Sequence, residues 1–333
     1  MNETNLRILL RARPEGAATA EHFQAVEEAP PSPRPGEALL RHRFLSLDPY
    51  MRGRMSGAKS YAAPVAVGDV MEGQSVAQVA EDPTGRFKPG DWVLGGKGWQ
   101  RFSAQPVSGL VKLDPDAAPV TTALGVLGMP GTTAWVGVTE IAVPKPGETF
   151  VVSAASGAVG SVAGQIAKRM GARVVGVAGG FEKCRFVRDE LGFDECVDHR
   201  AADFPDLLAA ACPRGIDVYF ENVGGAVQKA VWPLLNQFGR VAFCGMVAEY
   251  QNAEPAPGPN LAQVVRKSLR LRGFIVSQHP AAFTEWRSTG GRWLREGALR
   301  YREDVVKGLD RAPEAFLGML RGENFGKRIV EIT

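Results

Sequence analysis

The stretch FVVSAASGAVGSVAGQIAKRM, residues Phe150–Met170, decides how the rest of the chain reads. A short apolar run, Phe150–Val152, passes through the small residues Ser153–Ser156 into Gly157-Ala158-Val159-Gly160 and then a helix-compatible segment. A buried parallel strand turns into a helix in this way when the helix N-terminus faces a phosphate. Glycine allows the tight turn and the close approach, and the first-turn amides and helix dipole favour the negative charge. The spelling is A-x-G-x-x-G, with Ala155 in the first position, so the motif is weak alone and its setting has to decide.

Outward toward the N-terminus, Asn5 to about Val120 reads as β-rich. Strands are expected at Leu6–Arg11, Glu37–Leu47, Gln74–Ala80, Trp92–Leu94, Gln100–Ala104 and Leu110–Leu113, cut apart by Pro35-Gly36 and Lys88-Pro89-Gly90-Asp91. Met51–Ala66, rich in Gly, Ser and Ala, reads as a loop that either lines a cleft or lies inert on the surface. Helical periodicity begins at Thr121–Leu127 and Thr132–Ile141.

Outward toward the C-terminus a β–α alternation follows. Strands are expected at Thr149–Ser153, Arg173–Ala178, Glu195–Val197, Asp217–Phe220, Arg240–Cys244 and Leu271–Val276, with a helical pattern between each pair. The expected fold is therefore α/β: a six-stranded, doubly wound parallel sheet with helices on both faces, plus a β-rich domain. A helix at Ala312–Arg321 and a terminal strand at Lys327–Ile332 return to the β-rich half and make it discontinuous. The expected domains are 1–126 with 312–333, and 127–311.

Composition excludes several classes. A chain of 333 residues with 45% hydrophobic and 23% charged residues is an ordinary globular protein long enough for two domains. A net charge of +3 gives no reason to expect a nucleic-acid partner, and no apolar run is long enough for a membrane span. The N-terminal MNETNLRILLRARPEG lacks the pattern of a secretory signal. Cys184, Cys196, Cys212 and Cys244 have no C-x-x-C spacing, which suits free thiols in a reducing cytoplasm.

The second strand of such a sheet selects the dinucleotide: an acid at its end, ~20 residues past the glycines, bonds the ribose hydroxyls of NAD. Here the strand Val174–Ala178 ends in Gly179-Gly180, with Lys183, Arg185 and Arg188 following and no carboxylate at the strand end. That suits the 2′-phosphate of NADP(H). Glu182 lies inside the next helix and is discounted. A metal is not expected. The β-rich half has no cysteine, only His22 and His42, and Gly68-Asp69-Val70-Met71-Glu72-Gly73 where a G-H-E motif would carry a zinc ligand.

Several segments together resemble one family. They are Ser46-Leu47-Asp48-Pro49-Tyr50-Met51-Arg52, Gly128-Met129-Pro130-Gly131-Thr132-Thr133-Ala134, Ala155–Ser161, Glu221-Asn222-Val223-Gly224-Gly225, Cys244-Gly245-Met246 through Tyr250, and Gly322-Glu323-Asn324-Phe325-Gly326-Lys327. The chain resembles the zinc-independent medium-chain dehydrogenase/reductases of the prostaglandin reductase and leukotriene dehydrogenase group, its bacterial NADPH-dependent members above all. The resemblance implies a Rossmann sheet beside a GroES-like catalytic domain. It also implies reduction of the carbon–carbon double bond of a small, hydrophobic conjugated enone or enal.

Carried over, Ala158, Val159, Gly160 and Ser161 would hold the pyrophosphate, Lys183 the 2′-phosphate, and Asn222 the cofactor. Cys244, Gly245, Met246, Tyr250, Phe274, Ile275 and Val276 would border the ribose and nicotinamide, and Asn324 would close over them. Where some members have Asn-Tyr-Lys, this chain has Asp198-His199-Arg200, with His199 in the tyrosine's place. Hydride addition to an enone leaves charge on the carbonyl oxygen, which needs a donor. Tyr250 and Tyr50, in motifs that would face one another across a cleft, are the expected catalytic phenols. Tyr50, Met51, Tyr61 and Met129 would line the substrate site, with Trp135 adding to the apolar wall. A quinone reductase on the same fold and a non-catalytic NADPH-binding sensor are the rival expectations; an enoyl-thioester substrate would call for a basic groove that the sequence does not display. The sixth strand, apolar and at a sheet edge, would pair with a second copy to give a homodimer.

Overall fold

Punctuation by Pro and Gly cuts the N-terminal stretch into short strands: β1 (Asn5–Leu10), β2 (Phe23–Glu28), β3 (Glu37–Ser46), β4 (Ser75–Glu81), β5 (Trp92–Gly95), β6 (Phe102–Pro106) and β7 (Val111–Lys112). A short helix, α1 (Tyr50–Arg54), lies between β3 and β4. The computed structural model describes residues 3–254 and 256–333. The chain divides into two compact units: Met1–Gly125 with Glu303–Thr333, and Val126–Arg302.

The second unit opens with α2 (Met129–Val136) and then alternates. Its elements are β8 (Thr149–Ser153), α3 (Gly160–Arg169), β9 (Arg173–Ala178), α4 (Phe181–Arg185), β10 (Glu195–Asp198), α5 (Phe204–Ala211), β11 (Ile216–Glu221), α6 (Gly225–Val231), β12 (Leu235–Phe243), α7 (Ala262–Arg266), β13 (Arg270–Gly273) and α8 (Pro280–Arg295). The chain then supplies β14 (Glu303–Lys307), α9 (Ala312–Leu320) and β15 (Lys327–Glu331) to the first unit.

In the first unit the main sheet runs β14-β15-β3-β4-β5-β7, with β6 also paired to β3, and β1 and β2 form a separate pair. β15 lies antiparallel to β3, with Val330 opposite Leu45. Phe23 stacks on Trp99 with ring centroids 5.8 Å apart, and Phe316 of α9 meets Trp99 edge-on at 5.9 Å. Three expectations need correction here. The chain re-enters this unit at Glu303 rather than 312, because β14 pairs in parallel with β15 along its whole length. β2 forms although FQAVEE buries only Phe23 well, since backbone pairing from Asn5–Glu28 to Leu10–Phe23 sustains it. The first residues of the supposed loop after Tyr50 are helical and bury Met51, Arg52 and Arg54.

In the second unit all strands run parallel in the order β10-β9-β8-β11-β12-β13. β8 is buried at every residue, which is why its sequence is a continuous apolar run rather than an alternation. α3 packs closely on the sheet side: a Cβ at Gly164 would stand 1.9 Å from Phe193 Cζ, so that glycine is a packing requirement. β13 is an edge strand, as expected, but it spans only Arg270–Gly273 and carries two exposed arginines. The apolar Phe274–Val276 lies beyond it.

Candidate functional site

The strand order reverses between β8 and β11, and such a switch point opens a crevice at the carboxyl ends of the strands. Here that edge is tied together by one buried carboxylate. Glu221 closes β11 with no exposed surface. Its Oε1 accepts from Tyr219 OH at 2.8 Å, Ser153 Oγ at 3.0 Å, Val223 N at 2.8 Å and Gly224 N at 3.0 Å. Its Oε2 has no hydrogen-bond partner among the described residues. A buried carboxylate is costly unless donors surround it, and Oε1 has four.

Ser153, the last residue of β8, also accepts from Asn222 N at 2.8 Å through its hydroxyl, and its carbonyl accepts from Asn222 Nδ2 at 2.7 Å. The Glu221 carbonyl takes Cys244 N at 2.9 Å and Gly245 N at 3.1 Å, while Val247 N reaches the Asn222 carbonyl at 3.1 Å. The loops after β8, β11 and β12 thus form one hydrogen-bonded edge. Burial and the Glu221 charge push the Cys244 thiol up to about 12, so it stays protonated and is not a nucleophile.

The turn from β8 into α3 is made by the opening motif. Gly157 N bonds the Ala154 carbonyl at 2.9 Å, and Ala154 adopts φ 52°. Ala158 and Val159 are half-buried, whereas Gly160 and Ser161 are buried. A Cβ at Gly160 would stand 2.3 Å from the Ala154 carbonyl oxygen, so only glycine fits there. Ser161 N bonds the Gly157 carbonyl at 3.1 Å and Ala163 N the Val159 carbonyl at 2.9 Å, so the turn runs directly into the ten-residue α3, whose N-terminal dipole suits an anion.

At the end of β9, Lys183 lies on α4, and Glu182 pairs with Arg185 at 2.7 Å on the exposed face. His199 Nε2 lies 2.8 Å from the position a Gly179 Cβ would take. Burial holds the His199 imidazole below its ordinary pKa, with Arg200 and Lys183 adding to the effect and Asp198 opposing it. The donor set is cationic, and the Asp198 carboxylate is taken up by the backbone N–H groups of Gly180 and Arg200. That chemistry fits a phosphomonoester at this end, and so fits NADP(H).

Further along the edge, Tyr250 OH accepts from Met246 N at 3.4 Å and would lie 3.2 Å from a Cβ on Gly245. Ile275 and Val276 are half-buried and follow β13. Phe274 differs from the expectation. Its ring packs edge-on to Phe220 with centroids 6.3 Å apart and lies against Gly137, so its side chain belongs to the core. Met129 starts α2, half-buried, with Thr133 Oγ1 3.6 Å from its sulfur. Trp135 stacks on Trp286 with centroids 5.5 Å apart and meets Trp293 at 6.1 Å, which makes it part of an aromatic cluster.

The first unit holds the remaining candidates. The Arg54 guanidinium lies 5.5 Å over the Tyr50 ring and 4.7 Å over the Tyr61 ring, and it pairs with Glu72 at 3.3 Å. Tyr50 and Tyr61 are therefore brought together through a cation. Burial, then the charges of Asp48 and Glu72, push the Tyr50 phenol well above its ordinary pKa, so it stays a proton donor. Met51 is fully buried in the core of this unit rather than on a surface. Asn324 is half-buried, and its Nδ2 donates to the Gly326 carbonyl at 2.8 Å. Sequence reasoning missed Glu221 and Arg54 as organising residues. The available signals were an acid directly before Asn222 and a cation four positions after Tyr50. Among the described residues, no three His, Cys, Asp or Glu side chains converge as a metal site, and no helix is long and apolar enough to cross a membrane.

A doubly wound sheet with a phosphate turn and a basic second-strand end defines a nucleotide-dependent dehydrogenase or reductase. Residues 6–113 match the family model described as N-terminal domain of oxidoreductase, and residues 158–289 match that described as zinc-binding dehydrogenase. The chain is 48% identical to the NADPH-dependent curcumin reductase of Escherichia coli (strain K12), over 99% of this chain and 98% of that one. It is 40% identical to prostaglandin reductase 1 of Rattus norvegicus, over 95% and 96%. The crystal structure of CurA in complex with NADPH from Vibrio vulnificus superposes with a TM-score of 0.94 at 47% identity, covering 98% of this chain and 99% of that one. The chain belongs to the medium-chain dehydrogenase/reductase family, in its prostaglandin reductase group.

Proposed function

We propose that the chain is an NADPH-dependent reductase of the carbon–carbon double bond of α,β-unsaturated ketones and aldehydes. The observation that carries this reading is the nearly end-to-end similarity, at 48% identity, to a reductase of that kind. When bound, the cofactor would supply a hydride for the β-carbon of the conjugated substrate, the α-carbon taking up a proton. In this reading Ala158–Ser161 hold the pyrophosphate at the start of α3. Lys183 and His199 meet the 2′-phosphate. Asn222, Cys244, Gly245, Met246, Ile275, Val276 and the Phe274 backbone border the ribose and nicotinamide.

Tyr250 is the proposed donor to the substrate carbonyl or the ribose. Met246 N–H donates to its oxygen, and a phenol that accepts a hydrogen bond is polarised toward donating its own proton. Tyr50, Tyr61 and Met129 are proposed to contact substrate, with Arg54 fixing the two tyrosine rings. Met51 is buried in the core cluster against which Tyr50 packs, so it is not proposed to touch substrate. A conjugated enone and a benzoquinone assayed in parallel for NADPH consumption test the reading. Preference for the enone supports it; turnover of the quinone alone would replace it with quinone reduction.

We also propose a homodimer and a cytoplasmic location. β13 leaves a sheet edge open, and Phe238, Leu261 and Val265, on and near the adjoining β12 and α7, are 63%, 64% and 83% exposed. Pairing with a second copy would cover both the edge and these side chains. The four cysteines are free thiols, which supports a reducing compartment. Light scattering at micromolar concentration tests the dimer, and a monomer there rejects it.

A further inference from the structure

Of the four free thiols, all in the second unit, two face one another. Cys196 lies on β10 opposite Gly176 of β9, and residues paired across a parallel ladder point to the same face. That face is covered by the helical stretch that α4 begins and that continues through Glu190. A Cβ at Gly176 would stand 2.8 Å from Val187 Cγ1. Val187 follows Cys184 at i+3, a spacing that puts both on one helix face, so Cys184 projects toward the strand that carries Cys196. The two thiols interact directly. Cys184 is buried and Cys196 half-buried.

The contact makes the pair unlike. The Cys196 thiol, chiefly, holds Cys184 below its ordinary pKa, helped by the Ala178 backbone and Arg188 and opposed by burial and Asp198. Cys196 moves the other way, because Cys184 and then burial keep its proton in place. Burial pushes Cys212 up to about 12, and burial with the Glu221 charge does the same to Cys244. Thiolate character therefore collects at one sulfur of the four, with a thiol beside it. That is the arrangement of an attacking cysteine and a resolving one.

We propose that Cys184 and Cys196 form an oxidation site, closed to a disulfide by hydrogen peroxide, and that closure weakens NADPH binding. The Cys184 thiolate attacks one peroxide oxygen and breaks the O–O bond, giving a sulfenic acid and hydroxide. The Cys196 sulfur then attacks the Cys184 sulfur: the S–S bond forms, the S–O bond breaks, and the oxygen leaves with the Cys196 proton as water. The hydroxide takes a proton from solvent, so two thiols and one peroxide give one disulfide and two waters. Peroxide, little larger than water, suits sulfurs this buried. Closure acts on the cofactor edge because α4 starts directly after Gly180, whose N–H donates to Asp198 Oδ1 at 2.8 Å, just beyond Cys196 on β10. Thiols in contact must draw closer to bond, which pulls α4 toward β10 and shifts the Gly179-Gly180 turn. This effect rests on the NADPH reading above; the disulfide itself does not.

The test is peptide mass spectrometry after graded hydrogen peroxide, with remaining thiols alkylated in denaturant, beside NADPH titration of the same samples by nicotinamide fluorescence. In the unaltered protein the Cys184 and Cys196 peptides should become cross-linked while Cys212 and Cys244 stay alkylatable. NADPH should bind about 10-fold more weakly, the scale of a small misplacement in a binding site, and dithiothreitol should restore both readings. Cys184→Ala should keep the affinity of the reduced protein through the same treatment. Cys196→Ala should stop at the sulfenic acid, which dimedone traps at Cys184. No cross-link between these two cysteines, or oxidation confined to Cys212 and Cys244, overturns the proposal. A cross-link that leaves NADPH affinity unchanged overturns the effect on the cofactor. Reduced protein that fails to bind NADPH overturns the NADPH reading and that effect with it, while the mass reading still decides the disulfide.

Discussion

Lys327 Nζ lies 2.7 Å from Asp48 Oδ1, with both side chains less than a tenth exposed. The same ammonium donates to the Leu47 carbonyl at 2.7 Å, and Ser46 Oγ donates to the other Asp48 oxygen. The pair joins two segments almost the whole chain apart, one leading into Tyr50 and the other following Asn324. Burial lowers the Lys327 pKa while Asp48 opposes the shift. Asp48→Asn or Lys327→Met leaves a single buried charge and should cost about 3–5 kcal/mol. The paired replacement Asp48→Leu with Lys327→Met should cost much less than the sum. Urea unfolding of the three variants checks this, and simple additivity would refute the coupling.

Glu221→Ala removes the acceptor of four hydrogen bonds. Several buried donors lose their partner, at about 1–3 kcal/mol each before relaxation. We expect a clear loss of stability and a raised KM for NADPH, because Ser153 and Asn222 lose their register. Glu221→Gln keeps one oxygen acceptor and should recover much of both. A Glu221→Gln variant as impaired as Glu221→Ala would show that the charge, not the acceptor, matters.

Tyr250→Phe should reduce kcat on an enone about 10- to 100-fold, within the range for a single proton donor, with NADPH affinity little changed. Steady-state kinetics at saturating NADPH decide it. Full turnover would take the donor role away from Tyr250.

Gly164→Ala forces a methyl group onto the Phe193 ring and should destabilise by about 1–3 kcal/mol, the usual cost of overpacking. Adding Phe193→Leu should return part of that loss. Thermal unfolding of the single and double variants is the measurement, and a silent Gly164→Ala would mean that the helix shifts freely.

His42 is fully buried between Ser75 Oγ and Ser103 Oγ, each 2.7 Å from a ring nitrogen. Burial brings its pKa down from 6.5 to about 3. The unfolded chain takes up that proton first, so this contribution to stability is complete above pH 6.5 and is lost as the pH falls toward 3. The slope can reach about 1.4 kcal/mol per pH unit in that window. Unfolding free energies at several pH values from 7 to 4, for the unaltered protein and His42→Gln, isolate the effect. Parallel curves would exclude it.

The sheet of the second unit was legible because its central strands β8, β9 and β11 are buried on both faces. Thr149–Ser153 and Arg173–Ala178 emerge at the residues where the sequence places them. Central strands and amphipathic helices announce themselves locally. β2 does not, since FQAVEE buries so little and is held by the partner strand. β13 reads as longer and more apolar than it is, because Phe274 belongs to a core contact rather than to the ladder. The phosphate turn and the tyrosine motifs were visible as spellings. The Glu221 network and the seating of His199 over Gly179 were not: both depend on which strand ends become neighbours, and local sequence does not encode that adjacency.

β15 has a consequence for how the protein is made. Phe44, Leu45 and Ser46 of β3 pair with Ile329–Glu331, so the first unit cannot close while the ribosome is still translating the second. At roughly 5–20 residues per second, the emerging β3 waits on the order of ten seconds or more with that ladder open and Asp48 lacking its lysine. The segment Val126–Arg302 meanwhile carries every strand of its own sheet and can mature first. Nascent chains stalled before Lys327 should therefore resist protease across 126–302 and be cut readily near β3, so that the unit whose synthesis begins first becomes native last.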